Sequence, residues 1–456
     1  MSQICDDCPA NSSNCNNLYC TSAEGSTRGT IIANRQLPGP SIQVCQNDIL
    51  VVDIINKIPG HSLTVHWRGQ PNHEAPFMDG VPMVTQCPIS GYTTFQYKFR
   101  ASSPGTHFYH AHSDADRTDG FFGALIVRQA NKVEPHGKLY DVDSKEHIVL
   151  LSEWSGDLST GIVNEDDLTK AIMINGKSPE VSGHSLSVFN VEKDKRYRFR
   201  VAYTAGSVGC PVAISVDSHL LKIIALDGNP INPYEVSSAE LTKGERLDFV
   251  LKTNQKIGAY FLRAKSTCNE NELNGLSMIS YDGFSGANIE NKIVLEENFR
   301  KFDTSLCNSK IGKVCLGDVR SLNKIPSNLR KFEPAYFCIN MYHDNVCYFS
   351  GSLKDVRSKI YRINNFTFTY PPSPLLTQPN DVPLNLMCNE LNTPDKCVGQ
   401  SVCECVHLEY IALGTTTEII LIDQGMYMQN SVYCLFQVGS FERISLLYKH
   451  QVPENY

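Results

Sequence analysis

Apolar and β-branched residues recur along this chain in short runs, punctuated by Gly, Pro, Asn and Asp, and several runs alternate apolar and polar residues with a period of two. That period belongs to a half-buried strand, whose side chains point to opposite faces in turn. It predicts strands over Ile49–Ile55, Thr94–Phe99, Gly123–Val127, His147–Leu151, Tyr197–Val201, Leu220–Ala225, Leu247–Leu251 and Thr417–Ile422. Sustained helical periodicity is scarce. Many short strands with frequent turn signals predict an all-β protein built from β-sandwiches or barrels. Breaks in the pattern fall at the polar stretch from Gln129 to Pro135 and between Tyr281 and Asn298. They divide the chain into a Cys-rich segment over 1–27, β-domains over 28–130 and 131–285, an irregular connection over 286–360, and a last domain over 361–456.

Composition narrows the class. The chain has 456 residues, 41% hydrophobic and 20% charged, with a net charge of -7. No basic patch or arginine-rich arm is present, which argues against nucleic acid as a partner. No apolar run approaches the roughly 18 residues of a membrane span. Seventeen cysteines are present, with Cys5, Cys8, Cys15 and Cys20 near the start and Cys388, Cys397, Cys403 and Cys405 in a second group. This density suits a disulfide-bonded protein of the secretory route. Zinc is the competing reading, but Cys5/Cys8 and Cys403/Cys405 have no second half-site at finger spacing. Asn11-Ser-Ser and Asn365-Phe-Thr have the form of glycosylation acceptors. The first residues show no basic and apolar signal-peptide pattern, so the expectation is an extracellular protein whose start is incomplete here.

Chemistry concentrates between Thr64 and Val127. His66 is followed by Trp67 and Arg68, while His110 and His112 lie two apart on a predicted strand. Two imidazoles on one face of a strand can serve one metal centre, and imidazole suits Cu, Zn, Fe and Ni. By spacing alone such histidines are more often structural. Asp114, Asp116 and Asp119 read as a solvated turn after His112, with a patch behind the metal ligands or facing iron as the lesser alternative, and Trp67 and Tyr109 read as core. No Ser-His-Asp arrangement, phosphate loop or dinucleotide fingerprint is found, and no catalytic residue is assigned.

The flanking phrases resemble the multicopper oxidases of the laccase and ascorbate-oxidase type, most like the arthropod laccases. They run over Leu37–Gln43, Asp79–Ile89, Gly105–Ser113, Asp119–Val127, Ile174–Lys177, Arg196–Arg200, Asp227–Gly228, Gly244–Val250, Pro371–Leu376, Asp381–Pro383 and Cys403–His407. The resemblance implies consecutive cupredoxin-like Greek-key β-sandwiches, two complete and a truncated third. It also implies copper, held by four histidine-rich motifs, and the oxidation of phenols, ascorbate or ferrous iron coupled to reduction of dioxygen to water. Carried over position by position, His66 matches a type 2 ligand, and His110 and His112 match type 3 ligands. Arg68 stands where the family has a type 3 histidine. The third motif falls on Val432, Leu435 and Gln437, in a stretch with no histidine between His407 and His450. The fourth motif is not found before Tyr456. Guanidinium stays protonated and has no acceptor lone pair, so Arg68 cannot ligate copper. The expectation is a degenerate relative, with copper absent or substoichiometric and a binding or structural role toward an unknown protein or small-molecule partner. The alternative is a copper oxidoreductase represented by an incomplete sequence.

Overall fold

The computed structural model describes residues 29–112, 116–156, 171–178, 186–205, 211–266, 273–284, 313–315, 318–323, 366–389, 392–399 and 403–408, with residue 158 and the backbone of short strands elsewhere. The protein is all-β. Among the described residues, helix is confined to three-residue 3-10 turns such as Pro76–Met78 and Lys145–His147. Two compact units separate: one comprises the residues up to Gly80 and Ile89–Asn323, and the other Val81–Pro88 with described residues beyond 324.

The first unit holds two sandwiches. In the first, β1 (Ile42–Cys45), β3 (Val65–Arg68), β5 (Gly105–Ala111) and β6 (Phe122–Arg128) form a sheet in the order β1-β6-β5-β3. Strands β2 (Ile49–Ile55) and β4 (Thr94–Arg100) pair antiparallel as a second sheet, with Ile49 opposite Arg100. Both runs were legible from their alternation. Strand β5 is buried along its whole length, so both of its faces are covered. Tyr109, Ala111, Leu125 and Val127 on β5 and β6 join Val65, Trp67, Tyr97 and Phe99 in the core between the sheets. The alternate residues Phe108, Phe122, Ala124 and Ile126 pack instead against Ile148, Leu150 and Ala202 of the second sandwich. Each large apolar side chain so buried stabilises by about 1.5–3 kcal/mol, enough to make the junction between sandwiches a second core.

The second sandwich opens with β7 (Ile148–Trp154), β8 (Ala171–Ile174), β9 (Ser187–Val191), β10 (Arg196–Ala205), β11 (Val212–Val216) and β12 (Leu221–Leu226). It continues with β13 (Asn229–Val236), β14 (Ser238–Leu241), β15 (Arg246–Lys252), β16 (Ala259–Ser266) and β17 (Asn274–Tyr281). One sheet has the order β8-β7-β10-β15-β12-β13; the other begins β9-β17-β16-β11-β14 and continues through Lys301–Asp303 and Lys313–Cys315. Tyr197, Phe199, Val201 and Tyr203 of β10 face the core, with Phe199 stacked on Phe249 at 5.1 Å. The intervening Arg198 and Arg200 point the other way and are buried against acids. Arg198 meets Asp248 at 2.6 Å, and Arg200 meets Asp143 at 2.7 Å and Asp248 at 3.2 Å. Thr106 on β5 donates its hydroxyl to the same Asp248 at 2.6 Å, which ties this network to the first sandwich.

In the second unit, β18 (Phe366–Phe368) and β19 (Met387–Cys388) each pair parallel with β20 (Cys403–His407). The described core here is Phe366 with Cys388, Cys397, Cys403 and Cys405. Disulfides Cys388–Cys405 and Cys397–Cys403 account for all four sulfurs, which decides the zinc-or-disulfide alternative for this group. The acceptor triplets at Asn11 and Asn365 begin outside the described residues.

Candidate metal site

Strands β3 and β5 run antiparallel with His66 opposite His110 and Arg68 opposite Phe108. Alternation puts these four side chains on the face turned toward the second sandwich, and Trp67 and Tyr109 on the opposite, core face. Trp67 packs there against Tyr97, Phe99 and Tyr109, as core. His112 follows the end of β5, where its N–H donates to the Thr64 carbonyl at 2.9 Å. The three imidazoles gather. Ring centroids are 5.4 Å apart for His66 and His110, 5.5 Å for His66 and His112, and 5.7 Å for His110 and His112.

Hydrogen bonds set two of the tautomers. The Nδ1 of His66 lies 2.8 Å from the Asp79 carbonyl, and the Nδ1 of His110 lies 2.7 Å from the Ala111 carbonyl. A carbonyl only accepts, so each Nδ1 carries a proton, and in the neutral His110 ring the Nε2 keeps its lone pair. The Nε2 of His110 is buried without a hydrogen-bond partner, an orphan atom of the kind a metal satisfies. Burial, reinforced by the charge of Arg117 and by the neighbouring imidazoles, holds the His110 ring well below the usual histidine pKa. Burial and His66 push His112 down to about 3, so both stay neutral at physiological pH. Burial alone would raise the Asp79 carboxyl; the charge of His66 and hydrogen bonds from His66 and Asn72 outweigh it and lower the pKa.

Asp79 was missed as a partner of His66. The signal was the Asp79-Gly80 dipeptide: Gly80 has φ +80°, and a Cβ there would collide with the Val65 carbonyl, so only glycine lets the two segments approach. Two cations were missed as well. Burial and the charges of Arg117 and Arg68 push Lys243 down to about 8, which places all three in one electrostatic neighbourhood.

Arg68 is half-buried, and its Nε donates to the Gly244 carbonyl of the second sandwich at 2.9 Å. Its guanidinium carbon also lies 5.9 Å from the centre of the Phe108 ring. The residue at this position is thus engaged as a donor to main chain. Asp116 and Asp119 correct an expectation: they are buried, not a solvated turn. The Asp116 carboxylate lies 2.8 Å from His61, and the main-chain carbonyl of Asp119 accepts from the Ile31 N–H. Asp114, Val432, Leu435 and Gln437 lie outside the described residues.

Copper fits this set only in part. His66 and His110 are oriented as imidazole ligands are, and His110 has a vacant acceptor. Against that, position 68 offers no lone pair, and Arg68, Arg117 and Lys243 bring positive charge. Among the described residues, no three or more His, Cys, Asp or Glu side chains are arranged to hold one ion. The described residues therefore do not compose a trinuclear copper cluster.

Sequence profiles of the multicopper oxidases match residues 14–132 and 145–283. A laccase from Trametes maxima is 31% identical over 275 residues, covering 58% of this chain and 54% of that protein. Laccase-2 of Agaricus bisporus is 33% identical over 259 residues, covering 54% and 49%. The chain spans about half the length of the curated relatives it matches. Among solved structures, the multicopper oxidase Fet3p superposes with a TM-score of 0.65 at 20% identity, over 88% of this chain and 70% of that one. The laccase of Botrytis aclada superposes with a TM-score of 0.61 at 22% identity, over 80% and 66%. At those identities the superpositions establish a shared fold, and the two profile matches establish the lineage: the chain belongs to the multicopper oxidase family.

Proposed function

We propose that this chain is a degenerate, non-catalytic multicopper-oxidase relative with a secreted binding or structural role. The observation that supports the reading is Arg68, which engages the second sandwich at a position where the resemblance implies a copper ligand and which cannot ligate copper. A unit charge about 4 Å from such a cation costs roughly 4 kcal/mol at an effective dielectric near 20, and Cu(II) doubles it. Secretion is supported by the buried disulfides of the second unit, since such bonds persist in oxidising compartments. No helix among the described residues is long and apolar enough to cross a membrane.

A second reading is a copper oxidoreductase acting on phenols, ascorbate or ferrous iron, with this chain as part of it. The orphan Nε2 of His110 and the convergence of three imidazoles favour it. Loading the full chain with copper, followed by elemental analysis and oxygen uptake with a phenol and with ascorbate, separates the two. Near-zero tightly held copper and no uptake support the degenerate reading. About four coppers per chain with oxygen consumption overturn it.

A further inference from the structure

Strand β20 carries one half of each of the two disulfides among the described residues of the second unit. Cys403 and Cys405 are two apart on the strand, so both sulfurs project from the same face, with Glu404 exposed between them. Their Sγ atoms are 4.0 Å apart, close to van der Waals contact. The two bonds differ in access. Cys397 and Cys403 are 7% and 8% exposed, whereas Cys388 and Cys405 are 2% and 0% exposed. Cys397 sits in a segment, Asn392 to Gly399, whose other residues are exposed except for the half-buried Pro394. The Cys397–Cys403 bond is therefore the outer one, and Cys388–Cys405 lies beneath it.

Disulfides exchange when a thiolate attacks one sulfur and expels the other. We propose that Cys403 and Cys405 form a thiol–disulfide exchange site, at which a small-molecule thiol opens the outer bond and the opening passes to the inner one. A thiolate of the glutathione class attacks Sγ of Cys397. The Cys397–Cys403 bond breaks, and its electron pair leaves on Cys403 as thiolate. Cys403 Sγ, already beside Cys405, attacks that sulfur; the Cys403–Cys405 bond forms and the Cys388–Cys405 bond breaks. Cys388 leaves as thiolate and takes a proton from water. One thiol enters as a mixed disulfide on Cys397 and one appears on Cys388, so two disulfides remain and no net oxidation occurs. The strand must shorten slightly to close the new ring, because same-face neighbours sit near the upper limit of disulfide Cα spacing. The product thus unpins β19 from β20 with one small-molecule thiol taken up on Cys397 and no net change in the number of disulfides.

The test treats the full chain with one equivalent of glutathione under anaerobic conditions and quenches it at intervals with N-ethylmaleimide. Peptides are then mapped without reduction, using cleavage after Glu404 to separate the two halves of β20. The expected result is alkylated Cys388 and a Cys403–Cys405 link, rising together with glutathionylated Cys397. Alkylated Cys403 with Cys388–Cys405 intact overturns the proposal, as does inertness of both bonds. A second variant, Cys397→Ser, leaves Cys403 as a standing thiol. Labelling of Cys388 without added glutathione is then expected, and label confined to Cys403 overturns the relay.

Discussion

The Nε of Arg68 donates a hydrogen bond to the carbonyl of Gly244 at 2.9 Å, joining the two sandwiches of the first unit through a position where the family resemblance calls for a metal ligand. The same carbonyl accepts from Arg246 at 3.3 Å, and Arg246 also reaches the Thr106 carbonyl at 3.3 Å. An acceptor shared between two arginines fixes the approach of β3 to the loop before β15. Gly244 has φ +97°, and a Cβ there would overlap the Arg68 guanidinium, so the contact depends on glycine as well.

Gly244→Ala is expected to destabilise the first unit by about 1–3 kcal/mol, through left-handed backbone strain and displacement of Arg68. Arg68→Ala is expected to cost about 1 kcal/mol. The double variant should fall short of the sum, because both changes remove one contact. Urea unfolding of the four proteins checks this, and strict additivity would show that the contact carries no energy.

Asp248→Asn is expected to cost about 3–5 kcal/mol, because it leaves Arg198 and Arg200 buried with less than their compensating charge. Thr106→Val removes a single hydroxyl from the same network and should cost about 1–2 kcal/mol. Equal losses for the two variants in thermal unfolding would contradict the charge argument.

Stability should fall in mild acid. Burial, and then the charge of Arg246, push His107 from the usual 6.5 down to about 3. Between those values the unfolded chain binds the proton and the folded chain does not, so stability rises with pH across the window and is lost as pH falls below 6.5. One such site costs about 2 kcal/mol on going from pH 7 to pH 5. His107→Gln should lose correspondingly less than the parent over that interval; parallel pH profiles would refute the assignment.

Full reduction should unfold the second unit selectively. Its described core is Phe366 and four half-cystines, whereas the second sandwich has a large apolar core. Hydrogen exchange after treatment with excess dithiothreitol is expected to quicken over 366–408 and stay slow in β7 and β10. Slow exchange over 366–408 after reduction would show that apolar packing suffices there.

The alternation of Ile49–Ile55, Thr94–Phe99 and Tyr197–Val201 was enough to define strands and the all-β class, because a period of two follows from the pleat and needs no tertiary knowledge. The same rule placed His110 and His112 on one side, and the motif phrases carried the family and singled out His66 and Arg68. What alternation cannot state is what covers each face. Only the folded chain shows β5 buried on both faces, with Phe108 in a core between sandwiches and Tyr109 in a core within one. Asp116 looks like a turn residue locally, yet it is buried, and its partner His61 comes from a distant segment. The acceptor for Arg68 lies 176 residues away in sequence. Such pairings join groups far apart in the chain, so local pattern carries no trace of them, and the packing of β3 and β5 against the second sandwich decides them.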